Sequence, residues 1–222
     1  MKGSSRQAKL MHEQINKSNQ WKRMLWIKII KQKILNQENA LTLLGKEGME
    51  KVVRYTSHLS DENVDYFESI AAKLYFSYYY PGMNREIESP VNSRLNYGYA
   101  IVRSAIVRSL VSIGFHPTFG ILHNNQLNVF YLADDLIEPF RPIVDLIVYQ
   151  DIKENIILTK QDRNYIIRVL YLACSFNEQK IPVIHAIDLT CESLRKCYYD
   201  NDIDLLKVPK ILPLEYMELI TE

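Results

Sequence analysis

Three acids, Asp134, Asp135 and Glu138, sit inside an apolar and aromatic run from Phe130 to Pro142. On a helix Asp135 and Glu138 are three residues apart and share a face, while Leu136 and Ile137 point elsewhere. Like charges side by side in apolar surroundings repel, and a divalent cation is the usual remedy. Capping of a helix N-terminus accounts for Asp134 and Asp135, because acids are favoured in a first turn, but accounts poorly for Glu138. A further acid, Glu68, borders a stripe of Val64, Phe67, Ala71, Leu74 and Tyr78 that must face the core. A half-buried carboxylate there needs a partner, a metal or a raised pKa; taken alone, Glu68 reads as one half of a salt bridge to a nearby helix. His123 lies in the loop before the acidic run. A lone histidine is more often a satisfied polar residue than a ligand, and His12, His58, His116 and His185 are read that way. Two carboxylates and one imidazole with open water positions suit octahedral Mg²⁺ or Mn²⁺, the nitrogen tilting the choice toward manganese. Such a site lowers the pKa of a bound hydroxyl and stabilises charge on a phosphodiester. By spacing alone the pattern is common, since many helical proteins offer two acids and a histidine.

The elements that would position these groups read as helical almost throughout. Residues 5–36 alternate basic positions with Leu10, Ile15, Trp21, Leu25, Ile29, Ile30 and Ile34, which predicts one interrupted or two consecutive amphipathic helices. A second segment spans about 39–57. Ser60 or Asp61 is read as the N-cap of a helix that Pro81-Gly82 stops. After a loop over 82–91, Asn92 is read as the cap of a long apolar helix to Gly114. A turn follows at 116–120, an irregular or hairpin-like stretch at 121–131, and a helix over about 132–153 that bends or restarts at Pro139 and Pro142. Thr159 with Asp162 resembles a capping box for a helix over 160–176. A last helix runs from Asp188 to about Tyr199, and the tail from Asn201 has little periodicity. The expectation is an all-α fold in one domain of 222 residues, with basic opening helices at 1–58, a metal-site core at 59–178, and a C-terminal helix and tail at 179–222.

Composition narrows the function classes. Seven glycines and eight prolines argue against a loop-rich all-β protein, and with 47% hydrophobic residues the chain can bury a sizeable core. The three cysteines, Cys174, Cys191 and Cys197, form no CxxC and give neither a disulfide framework nor a zinc site. The most apolar stretches are short and interrupted by charge, so no membrane partner is expected, and the N-terminus has no apolar signal region; a cytoplasmic location follows as an expectation. The formal net charge of +1 hides an asymmetry: residues 1–36 carry nine Lys/Arg against Glu13 alone, whereas the remainder carries 18 basic and 25 acidic residues. A basic arm on an acidic body suggests a polyanion partner; a solvated helix face is the bland alternative.

Motif order then adds what spacing cannot. The run Leu95-Asn96-Tyr97-Gly98-Tyr99-Ala100, followed by Gly114-Phe115-His116-Pro117, Gly120-Ile121-Leu122-His123 and the stretch from Leu132 to Pro142, resembles the CRISPR-associated integrase, the universal adaptation endonuclease of prokaryotic immunity, and most closely its type II branch. The segment from Glu68 through Lys73 to Phe76 resembles that family's glutamate-bearing helix, and Leu25-Trp26 through Gln37 its first catalytic-domain helices. The resemblance covers nearly the whole chain and implies the helical catalytic domain of that family. It implies catalytic and metal-binding roles for Glu68, His123 and Glu138, an auxiliary role for Asp135, and supporting or DNA-contacting roles for Asn96 and Arg94. Lys22, Arg23, Lys28 and Lys31 would contact DNA with Arg94. The implied cofactor is Mg²⁺ or Mn²⁺, and the implied partners are double-stranded DNA, a second copy in a homodimer, and a small ferredoxin-like adaptation subunit. The implied reaction is transesterification that inserts short foreign DNA fragments into a CRISPR array. The family's N-terminal β-rich domain, which its dimer uses, is expected to be missing in most or all of its length. A different class of reading follows from that: a non-catalytic helical remnant that binds DNA or a partner.

Overall fold

Ser18 caps the longest helix, its hydroxyl accepting from the Trp21 amide at 3.1 Å. The computed structural model describes residues 2–122, 128–152 and 155–217, with side chains from Gln7 onward. That helix, α2 (Asn19–Leu43), follows α1 (Lys2–Asn16). It buries Leu25, Trp26, Ile29, Ile30, Ile34, Ala40 and Leu41, and with them the polar Lys33, Asn36 and Gln37. An apolar stripe with polar residues set inside it marks a helix surrounded on several sides. Around α2 pack α3 (Glu50–Tyr55), α4 (Val64–Tyr79), a 3-10 turn at Glu138–Phe140, α7 (Arg141–Tyr149) and the strand β3 (Lys210–Tyr216). α5 (Pro90–Ser112) packs against α7 and against α6 (Tyr131–Leu136) on one side and α9 (Val183–Asp200) on the other; α9 also carries α1.

Local chemistry sets most boundaries. The expected break at Pro139 and Pro142 is real, since α6 gives way to the 3-10 turn and restarts as α7. The Thr159–Asp162 capping box is present, with reciprocal bonds of 3.2 Å to the Asp162 amide and 2.8 Å to the Thr159 amide, and it opens α8 (Lys160–Ile166). α4 begins after Asn63 and ends before Pro81-Gly82. α5 is capped by Ser89 with Pro90 in its first turn, not by Asn92. The Asn92 amide instead holds the preceding loop, donating to the Asn84 and Ile87 carbonyls at 2.7 and 2.6 Å.

Further expectations change, beside the caps: α4 starts from Asn63 rather than Ser60 or Asp61. The inward face of α4 is Val64, Ala71, Tyr75 and Tyr79, while Tyr78 is 41% exposed; a 3.6-residue helix drifts about 20° per heptad from a 3.5-residue stripe, which adds up over the turns from Val64 to Tyr78. The helix expected over 160–176 stops early, passes through a 3-10 segment at Ile167–Tyr171, and continues as the strand β1 (Leu172–Phe176). β1 turns through Asn177 and Glu178, at φ 49° and 62°, into β2 (Gln179–Pro182), the paired positive φ of a two-residue hairpin. A short apolar run reads alike as buried helix or central strand. α9 therefore starts at Val183, directly after β2, rather than at Asp188. The tail is ordered by distant partners: β3 pairs with β1, giving a three-stranded antiparallel sheet of order β2-β1-β3 in an otherwise helical fold. Among the described residues no helix is long and apolar enough to cross a membrane.

Gly98 sits where α5 crosses α7. A Cβ there would lie 2.4 Å from Val144 Cγ1 and 3.2 Å from Ile166 Cγ2. Gly98→Ala is expected to lower stability by about 1–3 kcal/mol through overpacking, measured by chemical denaturation. Combining it with Val144→Ala should cost less than the two changes summed, because the removed methyls clear the clash.

Candidate active site

Glu68, on α4, is half-buried, and Glu138, at the head of the 3-10 turn, is buried. Both carboxylates meet one group, the ammonium of Lys33 on α2, at 2.6 Å from Glu68 Oε1 and 2.5 Å from Glu138 Oε2. Arg141 Nε donates to the other Glu138 oxygen, Oε1, at 2.8 Å. Glu138 Oε2 is buried, with the Lys33 ammonium as its neighbour. Burial would push Glu138 up, but Lys33 and Arg141 outweigh it and hold its carboxyl down at about 2. Burial would likewise lower Lys33, and the charges of Glu138 and Glu68 raise it instead. At neutral pH Glu138 is thus an anion between two cations, Lys33 and Arg141.

One turn along α2 from Lys33, Asn36 fixes the turn that carries Glu138. Its amide donates to the Pro139 carbonyl at 2.7 Å and the Pro209 carbonyl at 2.9 Å, and its oxygen accepts from the Ile211 amide at 3.2 Å. A single buried side chain therefore ties the site to β3.

A cleft of about 250 Å³ opens beside these groups, walled by Lys33, Arg85, Tyr99, Glu138, Arg141 and Asp145. The Arg85 and Arg141 guanidinium groups stand 5.5 and 4.5 Å from the centre of the Tyr99 ring. At its base Asp145 accepts from the Tyr99 hydroxyl at 2.5 Å and the Tyr75 hydroxyl at 2.9 Å, while the Tyr79 hydroxyl donates to its carbonyl at 2.9 Å. Burial raises Asp145 to about 6 against the pull of those hydroxyls and of Arg85 and Arg141. Burial, with the Asp145 charge, also raises all three tyrosines well above their ordinary value, so they stay protonated and keep donating.

Glu68 and Glu138 are the two expected site residues that the structure brings together. His123 lies outside the described residues. The amides of Ile121 and Leu122 donate to Asp135 Oδ2 at 2.6 and 3.2 Å, so the fully buried Asp135 ties down the backbone that leads to His123. Asp134 accepts from Asn128 at 2.6 Å and lies 3.4 Å from Arg103. Asn96 accepts from Arg85 at 2.8 Å. Among the described residues no group of three or more His, Cys, Asp or Glu side chains could hold a metal ion.

Of the residues expected to contact DNA, Lys31 is exposed, Lys22 is half-buried, Arg23 pairs with Asp61 and Asp65, and Lys28 pairs with Asp204 at 2.7 Å. Arg94 is a correction. It is 1% exposed, donates to the Asn155 carbonyl at 2.8 Å and lies 3.6 Å from Asp162, which makes it a buried strut with no face for a phosphate. The three cysteines are free and buried, and burial pushes each thiol up to about 12. Lys33, Asn36, Arg85, Arg141 and Asp145 were not expected at the site. The available signal was a polar residue inside an apolar run: Lys33 beside Ile34, Asp145 between Val144 and Leu146.

Comparison with known proteins gives a consistent set of relatives. The family model described as CRISPR associated protein Cas1 matches residues 1–169. The CRISPR-associated endonuclease Cas1 of Neisseria meningitidis serogroup C (strain 8013) is 35% identical over 215 residues, covering 95% of this chain and 71% of that relative. The chain spans 53% and 45% of two Pyrobaculum aerophilum relatives that it matches. Among solved structures, a casposase bound to integration product has the same fold at a TM-score of 0.75 with 19% identity, over 88% of this chain and 70% of that one. A Cas6-RT-Cas1–Cas2 complex matches at a TM-score of 0.68 with 19% identity, over 86% of this chain and 25% of that one.

The tyrosine cage gives a test of the site's lower wall. Asp145 ionises at its ordinary value of 3.8 when unfolded and at about 6 when folded. Its contribution is therefore fully present below about pH 4 and is lost as pH rises through about 6. Asp145→Asn removes that dependence. Denaturation of both proteins across this range should show the stability difference, wild type minus variant, falling by about 3 kcal/mol from about pH 4 to above pH 6. A flat difference would refute the assignment.

Proposed function

The chain belongs to the CRISPR-associated Cas1 family, and from that membership we propose that it is a metal-dependent DNA integrase and endonuclease of CRISPR adaptation. In the proposed reaction the 3′-hydroxyl of a short DNA fragment attacks a phosphodiester at the edge of a CRISPR repeat and releases a new 3′-hydroxyl. One phosphodiester forms as one breaks, so no nucleotide hydrolysis is needed. Water in place of the hydroxyl would make the same site a nuclease. The observation that carries the proposal is the meeting of Glu68 and Glu138, from separate helices, about one buried cation.

Glu68, His123 and Glu138 would hold Mg²⁺ or Mn²⁺. Two features of the described residues fit such an ion: the carboxylates already share a cation, and Glu138 Oε2 is a buried oxygen facing that cation. The ion, when bound, would acidify the attacking hydroxyl and offset charge gathering on the phosphodiester. The protein's own groups do the positioning. Arg141 engages Glu138 Oε1 and leaves Oε2 facing the site. Asn36 fixes the Glu138 turn, and Asp135 fixes the backbone before His123. Arg85 and Arg141 give the cleft a cationic wall suited to a phosphate.

Double-stranded DNA as substrate, assembly with a small ferredoxin-like subunit and pairing with a second copy belong to the same proposal. The first two are supported by structures of like fold whose names include an integration product and a Cas1–Cas2 complex. Glu68→Gln, Glu138→Gln and His123→Ala are each expected to lower metal-dependent joining or cleavage of a repeat-bearing duplex by a hundredfold or more, on the order of the charge stabilisation a metal supplies. Circular dichroism would report whether each variant stays folded. Full activity in all three would overturn the site. Salt-sensitive DNA binding by the wild type without metal-dependent chemistry would favour the non-catalytic binding module instead.

A further inference from the structure

Lys33 occupies the space that a shared cation would need. Its ammonium contacts Glu68 Oε1 and Glu138 Oε2, one oxygen from each carboxylate. A divalent ion bonds such oxygens at about 2.0–2.6 Å, so ion and ammonium cannot both lie between them. We propose that Lys33 is a placeholder for the divalent ion: it neutralises the two glutamates while the site is metal-free, must leave the gap for the ion to enter, and then turns to the phosphate of bound DNA. The inference rests on the reading of Glu68 and Glu138 as metal ligands, and goes beyond it in giving Lys33 a role that couples metal binding to DNA binding.

Charge arithmetic makes the coupling specific. Glu68 and Glu138 are balanced by Lys33 and Arg141, with Lys33 and Glu138 both buried. A divalent ion entering that balance leaves a surplus of two positive charges and an ammonium with no carboxylate to itself. A displaced buried ammonium is costly unless it finds a new anion. Lys33 also walls the cleft it shares with Arg85 and Arg141, so its flexible four-carbon stem can carry the ammonium from the gap into that cleft. A phosphodiester there, with one negative charge, would take up half of the surplus and give the displaced ammonium an anion. Ion and DNA should therefore each bind more tightly in the presence of the other, by the same factor. Coupling carried by Lys33 should vanish when its charge is removed, whereas coupling through direct contact of ion and phosphate would survive.

The test measures Mn²⁺ binding directly, by loss of the free-ion signal in electron paramagnetic resonance, on the full chain with and without a short DNA duplex. Wild type should bind Mn²⁺ weakly alone and more tightly with duplex, and Glu68→Gln should lose both. Lys33→Met, which removes the charge and keeps the stem, should bind Mn²⁺ about tenfold or more tightly without DNA and lose most of the tightening by DNA. Lys33→Arg keeps a cation in the gap and should stay weak. Thermal unfolding gives a second readout: saturating Mn²⁺ should raise the Tm of Lys33→Met by more than that of wild type. Lys33→Gln replaces Lys33→Met if the latter does not fold, with the same direction expected. If Lys33→Met or Lys33→Gln binds Mn²⁺ no better than wild type while wild-type binding still depends on Glu68, the placeholder role is wrong and the metal-site reading stands. If no protein shows Glu68-dependent Mn²⁺ binding, the metal-site reading fails and the placeholder role with it.

Discussion

Two carboxylates from different helices cannot be brought together inside a fold unless something cationic meets them, and here Lys33 does so from a third helix. The pairing fixes α4 and the turn of Glu138 against α2. Breaking a buried ion pair by removing one partner costs far more than replacing the whole pair with apolar groups. Such a cluster is accordingly a poor device for stability alone, and its upkeep points to chemistry. The surrounding architecture serves the same end. Asn36 spends its whole hydrogen-bonding capacity on the Glu138 turn, on β3 and on Gln32, which donates to it at 2.9 Å. The small sheet is thereby connected to the site rather than appended to the bundle.

Two acids at similar depth are tuned in opposite directions. Glu138 faces the positive charges of Lys33 and Arg141 and falls to about 2, whereas burial lifts Asp145 to about 6 against the pull of its tyrosine hydroxyls and two arginines. Ion pairing keeps the first a permanent anion, fit to hold a cation. Hydrogen bonding from tyrosines makes the second a structural knot that gathers α4, α5 and α7 under the cleft. Carboxylates separated in this way by their surroundings can have separate roles within one pocket.

Local signals made much of this legible in the sequence. Prolines 139 and 142, the Thr159–Asp162 box and Pro81-Gly82 announce their breaks because each acts within a few residues. The border position of Glu68 is a local property, as is the crowding of acids before Pro139. What stayed hidden acts at a distance. Lys33 and Glu138 are 105 positions apart, and nothing near Lys33 says which anions it meets. β1 reads as helix until β3, some 35 residues on, supplies its other edge. Arg94 looked like a surface cation because its partners, Asn155 and Asp162, lie across the fold.

The contrast between a basic arm and an acidic body takes on a different meaning in three dimensions. Arg23 meets Asp61 and Asp65, Lys28 meets Asp204, and Lys33 meets Glu68 and Glu138. In each case a cation of the arm binds an anion of the body, so part of the asymmetry is the fold holding itself together. Charge already matched within the fold attracts a polyanion only weakly beyond a Debye length. The attraction for a phosphate backbone must come from cations placed elsewhere. Arg85 walls the cleft, and Lys31 and Lys207 line a groove of about 370 Å³ beside β1. Net charge along the sequence therefore marks where the chain is tied together, and the unpaired cations on the walls of these two hollows mark where positive charge is left over.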